Sequence, residues 1–129
     1  MSLNLQKEKG LARVLEFEAR KLDSCNIIDL KGEIDGMGLE RFKKALTGAV
    51  SEECDAVVLN FSHVVFISSS GLGALVSFYK LLKAEDKQLA VYGLRDVIRQ
   101  VFEIVRLNKV ISIADSEADA LALVSATKE

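Results

Sequence analysis

Three consecutive hydroxyl side chains, Ser68, Ser69 and Ser70, are the residues of this sequence best placed to do chemistry. They stand between an apolar run that ends at Ile67 and a long apolar pattern that starts at Leu72. A serine at such a junction can cap the following helix, because its oxygen accepts a hydrogen bond from a first-turn N–H. It can also be a phosphorylation site, since free N–H groups and the helix dipole favour an anion there. The junction alone leaves both interpretations open.

Other catalytic and ligand-binding patterns around the serines are incomplete. Gly71-Leu72-Gly73 lacks the third glycine of a dinucleotide-binding loop, and neither a Walker sequence nor a Gly-x-Ser-x-Gly elbow occurs here. His63 is the single histidine, and the sequence offers no third residue that would orient its imidazole toward Ser69. We therefore expect no catalytic residues. An enzyme that uses Ser69 and His63, and a nucleotide- or anion-binding module, stay open as alternatives.

Acidic and thiol side chains do not suggest a metal or cofactor site. Asp35 follows an apolar strand pattern, where a turn-forming role is the preferred interpretation. Cys25 and Cys54 have neither CxxC nor Cys/His spacing, so no zinc site and no disulfide framework are expected. Two thiols in a domain with an apolar core are typical of a reducing cytosol.

The composition predicts one soluble domain over residues 1–129, with residues 1–10 as a frayed lead-in. Hydrophobic residues make up 50% and charged residues 28% of the 129 residues, and the net charge is −2. A mixed, slightly acidic surface argues against nucleic-acid binding, which requires a basic face. No apolar run approaches the roughly 20 residues needed to span a bilayer, and the N-terminus has no signal-peptide pattern. We expect a cytoplasmic protein.

The first half of the chain alternates between strand and helix patterns. Period-two alternation from Leu15 to Ala19 and from Ile28 to Ile34 predicts two half-buried strands that pair as an antiparallel hairpin. An amphipathic helix pattern follows over 39–50. The apolar run over 56–59 predicts a central strand. Residues 60–63 are predicted to form a turn, and the apolar run over 64–67 leads into the serines.

The second half continues the alternation and fixes the fold class. We expect a helix over 72–82, a strand over 88–92, a helix over 97–105, a strand over 110–113 and a terminal helix that begins after Ser116. The order β-β-α-β-α-β-α-β-α predicts an α/β domain, with a mixed, mostly parallel sheet of about five strands and about four helices.

The helix after the serines is apolar around most of its circumference. Only Ser77, Lys80 and Lys83 are clearly polar between residues 72 and 83. Such a helix is either deeply buried or leaves an apolar patch that a partner covers. Residues that could face outward in this way are Leu72, Phe78 and Leu81.

Three stretches resemble the motifs of a known family. Gly32-Glu33-Ile34-Asp35 is similar to the family's Gly-Glu-(Leu/Ile)-Asp after the second strand. Asn60-Phe61-Ser62, followed by Phe66-Ile67-Ser68-Ser69-Ser70-Gly71-Leu72-Gly73, is similar to Asp-Leu-Ser…Phe-(Ile/Met)-Asp-Ser-Ser-Gly-Leu-Gly. Residues 101–107 and 120–121 are similar to the closing helix, strand and helix. From about Val14 to Val124 the chain thus resembles the STAS family of bacterial anti-sigma factor antagonists.

The resemblance implies a STAS-like (SpoIIAA-like) domain that works as a partner switch. Such a domain binds an anti-sigma factor that is also a serine kinase, loses that binding when phosphorylated, and is reset by a serine phosphatase. The phosphoacceptor falls on Ser69, with Ser68 as the alternative. The implied partner-binding residues are Ser68, Ser70, Gly71, Leu72, Phe78 and Asp35. A non-phosphorylated STAS scaffold of a signalling or transport-associated complex, and a homodimer or larger assembly, stay open.

Two positions depart from the family pattern. Ser68 and Asn60 each stand where the family has an aspartate. Both changes are expected to remove negative charge from around the acceptor, which would lessen repulsion of a phosphate. They would also remove groups that a kinase uses for recognition.

Overall fold

The computed structural model describes residues 14–128, so the predicted lead-in over 1–10 lies outside the described residues. Within this part the order is β-β-α-β-α-β-α-β-α, as predicted. The strands are β1 (Glu16–Leu22), β2 (Cys25–Ile34), β3 (Ala56–Ile67), β4 (Gln88–Tyr92) and β5 (Ser112–Ala114). The helices are α1 (Leu39–Gly48), α2 (Ser69–Ala84), α3 (Asp96–Ile104) and α4 (Glu117–Lys128), with a 3-10 turn over Leu107–Lys109.

The described strands form one sheet in the order β1-β2-β3-β4-β5. β1 pairs antiparallel with β2, and the remaining neighbours are parallel. One face carries the larger core, which draws on α1, α2 and α3 through Phe42, Leu75 and Phe102. The other face packs against α4 through Ala120 and Val124. The sheet therefore lies between two helical layers, as a mostly parallel sheet with crossover helices requires.

The prediction of a half-buried first strand is wrong for β1. All residues from Glu16 to Leu22 are exposed, including the apolar Phe17. The buried apolar residue is Leu15, directly before β1. β1 is an edge strand, so much of its surface is left uncovered although its sequence alternates.

The predicted turn at residues 60–63 is also wrong, because β3 runs unbroken from Ala56 to Ile67. Asp29 pairs with Asn60, but Lys31 pairs with His63, and a second shift separates Gly32 from Glu33. Each shift adds one residue to β3 relative to β2, as a β-bulge does. Residues 60–63, whose polar side chains resemble a turn in sequence, are thus part of a bulged strand.

The last strand is displaced from its prediction. The sequence predicts a strand over 110–113, whereas β5 occupies Ser112–Ala114 because a 3-10 turn over Leu107–Lys109 takes the preceding residues. The capping interaction expected before α4 is present, since the Asp119 N–H donates to the Ser116 hydroxyl at 3.1 Å. Within residues 14–128 no helix combines the length and apolar character needed to cross a bilayer.

Candidate functional site

The serine run lies at the edge of the sheet where β2 and β3 both end. Ile34 and Ile67, the last residues of the two strands, are register partners. The Ser68 N–H extends this pairing by donating to the Ile34 carbonyl at 2.8 Å. Parallel strands bring their carboxyl ends to one edge, which is the usual position of binding sites in open α/β sheets.

Ser68 caps α2. Its backbone is extended (φ −86°, ψ 171°), and its hydroxyl accepts a hydrogen bond from the Gly71 N–H at 3.1 Å. Its carbonyl accepts the first helical hydrogen bond, from the Leu72 N–H at 2.9 Å. Of the two roles that the serine run allows for Ser70, helix cap or first-turn residue, the structure shows the second, since Ser70 lies in the first turn of α2.

Ser69 and Ser70 present their hydroxyls to solvent. Both are exposed, whereas Ser68 is half-buried and its oxygen is engaged in the cap. They are the first two residues of α2, whose first-turn N–H groups have no partners within the helix. A phosphate on Ser69 would meet free donors and the positive end of the helix dipole. The geometry favours Ser69 over Ser68 as an accessible acceptor.

Two of the predicted partner-binding residues face the core. A Cβ on Gly71 would lie 2.7 Å from the Ile34 Cγ2 and 2.9 Å from the Ile67 Cγ1, so glycine lets α2 approach the strand ends. Phe78, predicted to face outward, is buried at 4% exposure, because α2 is turned toward the core on that side. Leu72 is half-buried, and Leu81 is 44% exposed.

Asp35 builds the turn that leads from β2 into α1. Its Oδ1 accepts a hydrogen bond from the Gly38 N–H at 2.9 Å, as its preferred interpretation as a turn former predicts. A Cβ on Gly38 would lie 2.7 Å from the Glu33 carbonyl oxygen, so the turn closes only with glycine there. Asp35 is half-buried and sits next to the Ile34 carbonyl that pairs with Ser68.

Two exposed apolar side chains near the serines have no counterpart in the sequence prediction. Met37 is 85% exposed in the Asp35 turn, and Phe66 is 46% exposed one residue before the end of β3. Phe66 is exposed because the second bulge lets both Val64 and Ile67 face the core. The flanking glycines of Met37 were a signal for an exposed turn, whereas nothing in the local sequence marks the bulge.

Asn60 lies away from Ser69, contrary to the expectation that it adjoins the predicted acceptor. From Asn60 to the end of β3 at Ile67, at about 3.3 Å per residue, the separation is roughly 20 Å. The Asn60 amide donates to the Asp29 Oδ1 at 2.8 Å, and its oxygen accepts from the Ser62 hydroxyl at 2.6 Å. Its amide nitrogen, which an aspartate would lack, thus serves a local network. Only Ser68 alters the charge beside Ser69.

The network around Asp29 joins the first edge of the sheet to α4. Arg20 donates to Asp29 at 2.6 and 2.9 Å and to Glu117 at 2.7 Å, and the Tyr92 hydroxyl donates to Glu117 at 2.8 Å. Hydrogen bonds from Arg20 hold the pKa values of the Asp29 and Glu117 carboxyls below their usual range. Hydrogen bonds to Asp29 and Glu117 raise the pKa of Arg20. Burial, with the bond to Glu117, raises the pKa of Tyr92 to about 12.

Among residues 14–128 the structure shows no hydrogen bond between His63 and Ser69. His63 is exposed on β3, where it is the register partner of Lys31. No group of three or more His, Cys, Asp or Glu side chains positioned to hold a metal ion occurs among the described residues. Cys54 is buried and contacts the Ala56 carbonyl at 3.2 Å.

The fold and the capped serine junction define a small α/β domain with STAS architecture. The STAS domain family model matches residues 16–120, most of the chain. The chain therefore belongs to the STAS domain family.

Named relatives and solved structures agree with this assignment. An anti-sigma-B factor antagonist of Listeria monocytogenes is 30% identical over 105 residues, which cover 81% of this chain and 91% of that protein. An anti-sigma factor antagonist from Mycobacterium paratuberculosis has a TM-score of 0.80 at 24% identity, covering 88% of this chain and 96% of that chain. Phosphorylated SpoIIAA from Bacillus has a TM-score of 0.63 at 23% identity, covering 84% and 99%. At these identities the two structures show a shared fold.

Proposed function

We propose that this chain is an anti-sigma factor antagonist whose binding to an anti-sigma factor is controlled by phosphorylation of Ser69. The observation that carries the proposal is the exposure of Ser69 at the N-terminus of α2, next to a serine that already supplies the cap. The name of the Listeria relative, anti-sigma-B factor antagonist, supports the choice of partner. In this proposal the partner is also the serine kinase, and a separate serine phosphatase resets the switch.

The docking surface in this proposal lies at the carboxyl ends of β2 and β3. Exposed Met37 and Phe66 offer apolar contact there, and the exposed Ser69 hydroxyl belongs to the same edge. Exposed apolar side chains at one edge of a domain can mark a protein-binding surface, and the proposal assigns Met37 and Phe66 to such a surface.

Phosphorylation would act at this surface and leave the fold intact. A phosphoserine adds about −1.5 to −2 charges at neutral pH, and the helix N-terminus favours that charge. Ser69 is exposed, so the added group projects into solvent without displacing core residues. The added charge and bulk would instead oppose a partner that packs against Met37 and Phe66.

Phosphorylation by an anti-sigma factor kinase of the same organism tests the proposal. The intact mass of the wild-type chain after incubation with kinase and ATP should rise by one phosphate, and Ser69→Ala should abolish the gain. Ser70→Ala is the matched control, because Ser70 is also exposed in the same helical turn, and it should still accept phosphate. A phosphate that persists in Ser69→Ala would place the acceptor elsewhere. No modification of the wild-type chain would favour the non-phosphorylated scaffold instead.

A further inference from the structure

A groove with a volume of about 600 Å³ runs between α1 and α2, and Ser70 is the first residue of α2 that lines it. Its apolar walls include Leu39 and Leu46 from α1 and Phe78 and Leu81 from α2. Leu81 is 44% exposed, Leu39 and Ala74 are half-buried, and Leu46 and Phe78 are buried. The exposed apolar surface at the groove therefore comes mainly from Leu81, with part of Leu39 and Ala74.

The charge at the groove is basic. Lys43 is the one charged residue among the described residues that line the groove. Lys43 and Thr47 also line an adjoining cleft on α1, whose other residues are Glu40, Arg41 and Lys44. The whole chain has a net charge of −2, so the basic excess on this part of α1 is a local feature.

Gly73 lies on the groove in the interior of α2. A Cβ built on it meets nothing within 4 Å, so internal packing does not require glycine at this position. Glycine in a helix interior weakens the helix relative to alanine. The open space leaves room for another backbone to approach α2 closely at this point.

We propose that this groove binds an acidic amphipathic helix of the partner protein, with apolar side chains between α1 and α2 and a carboxylate paired with Lys43. A helix that lays its apolar face into a groove between helices is a common mode of recognition. A second copy of this chain presenting the same groove is disfavoured, because it would place Lys43 opposite Lys43 with no carboxylate among the described lining residues to pair with it. The inference rests on the proposed function only in taking the partner to be a protein.

The same groove gives phosphorylation a second way to act. Ser70 lines one end of the groove, and Ser69 precedes it in the first turn of α2. A phosphate on Ser69 would place negative charge beside this end and repel an acidic helix. Occupation of the groove and phosphorylation should therefore oppose each other.

An NMR titration with designed peptides tests the groove without any natural partner. The probes are two helical peptides of about 15 residues with the same leucine face, one flanked by glutamates and the other by lysines. The acidic peptide should shift the amide signals of Lys43, Gly73 and Ser77 in the labelled wild-type chain, and the basic peptide should not. Equal binding of both peptides, binding of neither, or shifts confined to another face would overturn the inference.

Substitution of Gly73 supplies the matched control. Gly73→Leu should fill the groove and weaken acidic-peptide binding by at least about tenfold. Gly48→Leu is the control, because a Cβ on Gly48 also meets nothing within 4 Å but Gly48 does not line the groove. Circular dichroism melting of both variants confirms folding. Equal weakening by the two substitutions would contradict a role for the groove.

Binding to an anti-sigma factor of the same organism separates this inference from the proposed function. If that factor binds wild-type chain and Gly73→Leu equally, the groove inference fails while the proposed function stands. If it does not bind the wild-type chain but the acidic peptide does, the proposed function fails while the groove stands.

Discussion

At the scale of single residues, the structure gives Ser68 and Ser69 different roles, helix cap and exposed hydroxyl, which the sequence alone does not assign. Ser68 supplies the cap through its bond to the Gly71 N–H, which leaves the Ser69 hydroxyl exposed and without a structural role in α2. The family pattern has an aspartate at position 68, and aspartate caps a helix as well as serine does. The departure at this position therefore changes the charge beside Ser69 while it preserves the cap.

Substitutions at Ser68 should separate capping from charge. Ser68→Ala removes the acceptor for the Gly71 N–H and should lower the free energy of unfolding by about 1 kcal/mol. Ser68→Asp keeps an acceptor and should retain wild-type stability. Urea denaturation of both variants checks this, and equal losses of stability would show that the hydroxyl has a role other than capping.

Gly71 and Gly73 should respond oppositely to alanine although they are two residues apart. A Cβ on Gly71 would lie 2.7 Å from the Ile34 side chain, so Gly71→Ala should cost about 1–3 kcal/mol of stability by overpacking. A Cβ on Gly73 meets nothing within 4 Å, so Gly73→Ala should be neutral or stabilise the helix by up to about 1 kcal/mol. Denaturant unfolding of the two variants measures the difference. A stable Gly71→Ala variant would mean that α2 can move away from the strand ends.

At the scale of the elements, the bulged second half of β3 decides which side chains reach the surface. Simple alternation predicts that Phe66 and Val64 face the same side, but the second shift in register buries Val64 and exposes Phe66. Bulges near the ends of strands commonly re-aim a side chain next to a functional site. The β2–α1 turn adds Met37 at the same edge through the Asp35–Gly38 hydrogen bond.

Met37 and Phe66 should contribute to partner binding and little to stability. They are 85% and 46% exposed, so Met37→Glu and Phe66→Glu should change unfolding free energy by about 0.5 kcal/mol or less. Each should weaken binding to an anti-sigma factor of the same organism by about tenfold or more, because a charge would enter an apolar contact. Val110→Glu is a control, since Val110 is 51% exposed before β5. Calorimetric affinities unchanged in the first two variants would move the docking surface elsewhere.

At the scale of the whole molecule, the order and class of the elements follow from sequence periodicity, whereas their exposure does not. The β1 pattern alternates, yet the strand is exposed because it forms the edge of the sheet. Phe78 lies on an all-round apolar helix, and only the packing of α2 shows that it is buried. The serine junction could be predicted because strand, cap and helix are contiguous in sequence. The groove and the Arg20 network unite distant segments, so local patterns do not reveal them.

The Arg20 network should make stability depend on pH. The pKa values of Asp29 and Glu117 lie below their ordinary 3.8 and 4.5 in the folded state. The stabilisation is therefore complete above these ordinary values and is lost as the pH falls through the lowered ones. Arg20→Gln should remove up to about 1 kcal/mol at neutral pH, because the network is partly exposed, and progressively less as the pH falls below the ordinary pKa values of 3.8 and 4.5. Lys21→Gln is the control, since its partner Glu53 is 83% exposed. Urea unfolding across an acidic pH series checks this, and a pH-independent loss would contradict the linkage.

The most direct test of the central claim is the affinity of an anti-sigma factor of the same organism for two forms of this chain, unmodified and phosphorylated on Ser69. Calorimetry should show binding of the unmodified chain and at least about a hundredfold weaker binding of the phosphorylated one, with circular dichroism melting curves that show both are folded. Equal affinity of the two forms would contradict control of partner binding by Ser69.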